Sequence, residues 1–232
     1  MDQIAVITGA GSGVGRAVAI KLARAGWNIS LVGRHIETLN ETLALAGNKG
    51  HATACDVSDP ADVQRMSEAV LSVGPVGALV NCAGTNVRKR LLPELSVEDY
   101  RAIVDVNLNG TFYCCRAFLP HMREKGRGTI VNVISDAGIW ANPVSGAAYV
   151  ASKFGAVGLT ATINAEERKH GIRACGILPG EIDTPLLHKR PTMPSDEQRK
   201  RMLQPEDVAE CVAFALSLPD RAVVEQLLVR PR

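Results

Sequence analysis

Tyr149 and Lys153 stand four residues apart in Tyr149-Val150-Ala151-Ser152-Lys153, at the start of a segment with helical periodicity. That spacing puts both side chains on one helix face, a turn apart. A phenol ordinarily ionises at about pH 10, too high for a proton acceptor at neutral pH. A cation held beside it favours the phenolate. A phenol tuned in this way can pass a proton to or from a carbinol oxygen while hydride moves at the adjacent carbon. By itself the string recurs in helices by chance, and a surface tyrosine and lysine would read the same. Ser135, fourteen residues earlier, follows an apolar strand-like run. Its hydroxyl there can polarise a carbonyl, or merely form a strand-end turn or a helix cap.

A second kind of chemistry is written in Thr8-Gly9-Ala10-Gly11-Ser12-Gly13-Val14-Gly15, between the first strand-like run and the first helical one. Glycines permit positive φ and let a backbone approach a pyrophosphate. The helix that opens near Gly13 would turn its free amides and positive dipole end toward that anion. A tight strand-to-helix turn is the plainer alternative. The end of the second strand, about 20 residues on, selects between dinucleotides. It reads Leu31-Val32-Gly33-Arg34-His35, with no carboxylate to hold a ribose 2′-hydroxyl. The guanidinium of Arg34 suits a 2′-phosphate, which favours NADP(H), with NAD(H) as the alternative. A solvent-facing charge at a helix start would look the same.

Both sets of residues need a scaffold. Strand-like runs fall at 4–8, 29–33, 52–56, 78–81, 129–134, 172–178 and, weakly, 225–229. Helical patterns fall at 14–25, 36–45, 61–73, 97–123, 148–169 and 205–218. Short apolar runs separated by helices predict β-α-β units, hence a parallel sheet covered on both faces. Right-handed crossovers would bring the carboxyl ends of the strands to one rim, where such sheets bind ligands. Segment 186–204, with its prolines and clustered charge, is a candidate flap over that rim or a solvated loop.

Composition narrows the possibilities. The chain has 232 residues, 46% apolar and 22% charged, with a net charge of +2. So small a surplus, with no long run of one sign, argues against a nucleic-acid partner. No apolar stretch reaches the roughly 18 residues of a membrane span. The start Met1-Asp2-Gln3 lacks the basic region of a secretory signal. Six cysteines without CxxC spacing predict neither a metal site nor a disulfide framework, and Cys55, Cys82 and Cys175 read as small buried apolar groups. A reducing, cytoplasmic setting is the expectation.

These motifs, in this order and over nearly the whole chain, resemble the short-chain dehydrogenase/reductase family. The family's TGxxxGxG reads Thr8 to Gly15; its NNAG reads Asn81-Cys82-Ala83-Gly84, with cysteine for the second asparagine; its YxxxK reads Tyr149 to Lys153. Its catalytic asparagine and serine match Asn107 and Ser135, and its PG motif with a later threonine matches Pro179-Gly180-Glu181-Ile182-Asp183-Thr184. The resemblance implies an α/β fold: a single Rossmann-like doubly wound domain over residues 1–232, with a seven-stranded parallel sheet. It implies an oxidoreductase exchanging hydride between a nicotinamide dinucleotide and a small carbonyl or secondary alcohol, with Tyr149 as acid/base and Ser135 as donor to the substrate oxygen. Lys153 would hold the ribose and lower the tyrosine pKa, and Asn107 would order a water linking Lys153 to solvent. Asp56 and Val57 would flank the adenine, Asn81 would steady the sheet beside the cofactor as one of its binding residues with Ala83 and Gly84, and Ile182 and Thr184 would touch the carboxamide end.

There are departures from the family pattern. Ser12 stands where NADP-dependent members often have a basic residue, so Arg34 carries the cofactor reading, with Arg16 as a helper. The C-terminus lacks the frequent glycine-containing tail. A homodimer through helices 97–123 and 148–169 is therefore expected more than a homotetramer. A catalytically silent dinucleotide sensor, or a lyase or epimerase on the same scaffold, are the rival readings. The substrate wall is expected from 85–93, 138–146 and 186–204, with Trp140 and Leu186 facing the ligand. The basic residues Arg88, Lys89, Arg90, His188, Lys189 and Arg190 read as a solvated cluster or as attraction for an anionic substrate.

Overall fold

Seven short apolar runs pair side by side as one all-parallel sheet in a computed structural model that describes residues 3–232. Met1 and Asp2, part of the start read above against a secretory signal, lie outside the described residues. The strands are β1 (Ile4–Thr8), β2 (Asn28–Gly33), β3 (Gly50–Ala54), β4 (Val76–Asn81), β5 (Gly128–Val133), β6 (Ile172–Pro179) and β7 (Gln226–Val229), in the order β3-β2-β1-β4-β5-β6-β7. The helices are α1 (Gly13–Arg24), α2 (Ile36–Leu45), α3 (Pro60–Val73), α4 (Val97–Val104), α5 (Gly110–Lys125), α6 (Ala147–Glu167), α7 (Asp196–Arg199) and α8 (Pro205–Ser217).

The sheet is apolar on both faces because both are covered. Along β1, Ala5 and Ile7 pack with Val18 and Leu22 of α1 and Val208 and Val212 of α8. Ile4 and Val6 face the other way, into a core with Met66 of α3, Phe118 and Met122 of α5 and Ile163 of α6. A strand flanked in this way reads as a continuous apolar run rather than an alternating one. Strand order reverses direction between β1 and β4, and that switch opens a crevice outside their carboxyl ends.

Beyond shifts of one or two residues at several element ends, three expectations change for local reasons. The third strand runs two residues earlier than 52–56, because the Asp56 carboxylate accepts from Ser58 N at 3.0 Å and Ser58 Oγ at 2.7 Å and turns the chain there. The helix expected over 97–123 is two helices joined by a π-helical turn, Asp105–Asn109, that contains Asn107. The extra residue of such a turn lets a side chain leave the regular ladder. The flap 186–204 is not featureless: it holds a tight turn, Pro185–Lys189, the short α7 closed by a Ser195–Gln198 capping box, and a bridge between Ile182 and Leu203. Among the described residues no helix is long and apolar enough to cross a membrane.

Candidate active site

At the switch point the ends of β1 and β4 are tied by Thr8, whose buried Oγ1 accepts from Cys82 N and Ala83 N, both at 3.2 Å. Gly9 then turns with φ +65, and a Cβ there would lie 2.8 Å from Ala83 N, so the turn between these strands admits only glycine. The loop opens a cleft of about 570 Å³ along the rim. Gly9, Gly11, Ser12, Gly13, Val14 and Gly15 line it at the base of α1, Arg34, Asp56 and Val57 at one end, and Ser135, Tyr149 and Lys153 at the other. Ala83, Gly84, Pro179, Gly180, Ile182, Thr184 and Leu186 line it as well.

The amino end of α1 is built for an anion. Ser12 makes no side-chain cap, and the first turn holds no acidic residue. By contrast α3 is capped by Asp59, and α8 carries Glu206 and Asp207 in its first turn. Free amides and an uncompensated dipole face the cleft. These residues fit a dinucleotide's pyrophosphate. Burial works against ionisation of Asp56, but its two Ser58 hydrogen bonds and, more weakly, the exposed Arg34 nearby hold its carboxyl low. Arg16 does not help there. It donates to Gly11 O at 2.6 Å and Thr42 Oγ1 at 3.0 Å and pairs with Glu41, tying the glycine loop to α2 rather than facing the cleft.

At the other end, Lys153 Nζ lies 5.4 Å from the centroid of the Tyr149 ring. Lys153 is 4% exposed, and its one hydrogen-bond partner among the described residues is Val133 O at 3.4 Å. Burial accordingly lowers its pKa to about 8. Burial also pushes the Tyr149 hydroxyl up to about 12; Ser135, as hydrogen-bond partner, and the Arg90 and Arg190 charges pull it down, while Asp136 raises it. Burial therefore outweighs the arginine charges that favour the phenolate. Ser135 fills the structural part weighed for it: its Oγ accepts from Ala137 N at 3.1 Å and caps the turn Asp136–Gly138.

Three expected site residues do not line the cleft. Asn81 lies inside the sheet, donating to Asn132 Oδ1 at 2.9 Å. Asn107 is buried behind the rim: Oδ1 accepts from Thr85 N at 2.7 Å, and Nδ2 donates to Thr85 O and Ser152 Oγ, each at 3.1 Å. It fixes the residue before Lys153 rather than touching Lys153. Trp140 lies on the surface, its ring covered by the Arg230 guanidinium at 4.4 Å, which Asp136 holds by a 2.9 Å ion pair. The cleft also takes in Thr85, Asn86 and Lys189, from the wall segments expected over 85–93 and 186–204, and Thr38, which no motif marked. Cys82 lines it too, partly exposed, its thiol pushed up to about 12 by burial.

Residues 3–195 match the family described as short chain dehydrogenase. The chain belongs to that family. Its relatives include a (3R)-3-hydroxyacyl-CoA dehydrogenase of Rattus norvegicus, 36% identical over 93% of this chain and 90% of that protein. Another is a cyclohexanol dehydrogenase of an Acinetobacter species, 37% identical over 93% and 88%. Among solved structures, an alcohol dehydrogenase from the archaeon Thermococcus sibiricus, complexed with 5-hydroxy-NADP, superposes with a TM-score of 0.85 at 33% identity, covering 97% of this chain and 95% of that one. As a short-chain dehydrogenase, the chain is an oxidoreductase by family.

The lysine's burial has a measurable consequence. With a folded pKa of about 8 against an ordinary 10.5, the unfolded chain binds the proton more tightly. The stability cost is therefore complete below pH 8 and fades as the pH rises to 10.5. Lys153→Met is expected to stabilise the ligand-free protein at pH 7 by roughly 1–3 kcal/mol, and its advantage should shrink by pH 10. Denaturant unfolding at the two pH values checks this; a variant no more stable at pH 7 contradicts it.

Proposed function

We propose that the chain moves hydride between NADP(H) and a carbonyl or secondary alcohol, with NAD(H) the alternative carrier. The observation that carries this reading is one cleft with an anion-binding helix end at one side and the Ser135, Tyr149 and Lys153 side chains at the other. The names of the hydroxyacyl-CoA and cyclohexanol dehydrogenases denote chemistry at an alcohol carbon, and the 5-hydroxy-NADP held by the archaeal neighbour supports the phosphorylated dinucleotide.

The dinucleotide, when bound, supplies or accepts the hydride. The amides of the glycine loop and α1 hold its pyrophosphate, Arg34 its 2′-phosphate, and Asp56 and Val57 border the adenine. Lys153 takes the ribose hydroxyls and so gains partners it otherwise lacks. Ser135 donates to the substrate oxygen, and Tyr149 transfers the proton. With its hydroxyl pushed up to about 12, Tyr149 is a proton donor at neutral pH, the form that reduction requires. Oxidation requires the phenolate, so the alcohol-oxidising rate should climb with pH while the reducing rate does not. Asn107 holds the rim behind Lys153 and orders the water that returns protons to it. Leu186 and the flap 186–204 close over the substrate, and a homodimer or homotetramer assembles through α5 and α6, where Phe112 and Phe154 are exposed.

Tyr149→Phe is expected to lower kcat/KM in a screen of carbonyl compounds by roughly 10²–10⁴-fold, the worth of one proton-transfer group, while NADPH binding, followed by fluorescence, persists. An unchanged rate would remove Tyr149 as the proton donor, and a wild type that turns over no NADPH with any carbonyl would point to a lyase, an epimerase or a silent sensor. Arg34→Asp should move the NADPH-to-NADH affinity ratio by roughly tenfold to a hundredfold toward NADH, the loss of a charged hydrogen bond to phosphate. An unchanged ratio would remove Arg34 from cofactor selection.

A further inference from the structure

Arg90 is not part of a solvated cluster. Although it lies in a loop, it is 5% exposed, and no carboxylate pairs with it among the described residues. Its guanidinium is solvated by backbone carbonyls instead: Nε donates to Val87 O at 2.7 Å, Nη1 to Val144 O at 2.8 Å, and Nη2 to Lys189 O. These three acceptors belong to three segments: the loop after β4, the loop leading into α6, and the flap turn Pro185–Lys189. A planar fork can serve three carbonyls in different directions at once, which the point charge of a lysine cannot. Leaving such a charge without a counter-ion costs free energy, so the geometry it enforces requires an explanation.

The backbone of Arg90 makes the same junction. Its carbonyl accepts from Ala147 N, the first residue of α6, at 3.3 Å. Gly146 sits against it with φ +78, and a Cβ there would come within 2.6 Å of both Arg90 Cβ and Arg90 O. Tyr149 follows two residues into α6. From the flap side, Lys189 Nζ donates to Thr85 Oγ1 at 2.6 Å and so bridges the cleft. The start of the helix that carries Tyr149 and the flap that covers the cleft are therefore fastened to one side chain.

We propose that Arg90 is a positioning residue that couples closure of the flap to the placement of Tyr149. The inference rests on the hydride-transfer reading for what closure serves, but the coupling itself is a property of the fold. With the fork intact, the flap cannot lift without pulling on the Val144 carbonyl and the entry to α6. When the flap is down, Tyr149 is held at the rim beside Ser135.

Trypsin tests this without turnover, because the bond after Lys189 lies in the fastened turn. Mass spectrometry should find that bond cut at least tenfold faster in Arg90→Met than in the wild type, and also in Arg90→Lys, which keeps the charge but loses the fork. In both variants kcat with NADPH should fall at least tenfold, while NADPH binding remains measurable. Gly146→Ala does not touch the flap, yet coupling requires it to speed the same cut by pushing the start of α6 off Arg90; it also carries the test if the Arg90 variants do not fold. Wild-type cleavage rates in Arg90→Met or Gly146→Ala, or full rescue of protection and kcat by Arg90→Lys, would overturn the proposal. A wild-type protein with a protected flap and no activity on any carbonyl would instead overturn the hydride reading and leave the coupling standing.

Discussion

The ammonium of Lys153 lies almost out of reach of water, with one backbone carbonyl at 3.4 Å and the face of the Tyr149 ring nearby. Burial outweighs these partners and lowers the lysine's pKa to about 8. A buried cation of this kind persists only where the surrounding structure is stable enough to hold it. Here that surplus comes from a sheet packed on both faces, with Ile7, Leu31, Leu79 and Ile130 wholly excluded from solvent. The polar groups of the cleft collect at the carboxyl rim because both faces of the sheet are closed to them.

The rim is kept in place by polar groups that never touch a ligand. Thr8 joins β1 to β4. Asn107 leaves the helix at the π-turn and clamps Thr85 to Ser152, so the ladder that a regular helix would complete is given up for a cross-link beside Lys153. Arg230, near the end of the chain, holds Asp136, the acid beside Ser135 that works against ionisation of Tyr149. Arg16 braces the glycine loop from beneath. Each places a neighbour, and the order of the site is the sum of these local constraints.

Much of this was legible in the residue pattern. The all-apolar runs marked strands buried on both faces, and all seven form, the weak one at 225–229 included. Tyr149, Lys153, Ser135 and the glycine loop could be found because their chemistry demands particular residue types at fixed spacing. Asn107 was legible only by resemblance, since an asparagine within a helical pattern does not announce a π-turn. Arg90 read as surface charge, because its partners are carbonyls of Val87, Val144 and Lys189, and backbone acceptors leave no trace in side-chain types. Trp140 misled for the same reason in reverse: its partner, Arg230, lies 90 residues away in a tail that no motif ties to it.

The most direct measurement follows the hydride itself. NADPH carrying deuterium at the transferred position of the nicotinamide ring is incubated with the protein and a carbonyl compound that it consumes, and the product is read by mass spectrometry. Direct transfer predicts an alcohol with one deuterium at the carbinol carbon and one oxidised dinucleotide for each alcohol formed. Substrate converted with the label still on the dinucleotide, or with none in the product, would contradict it.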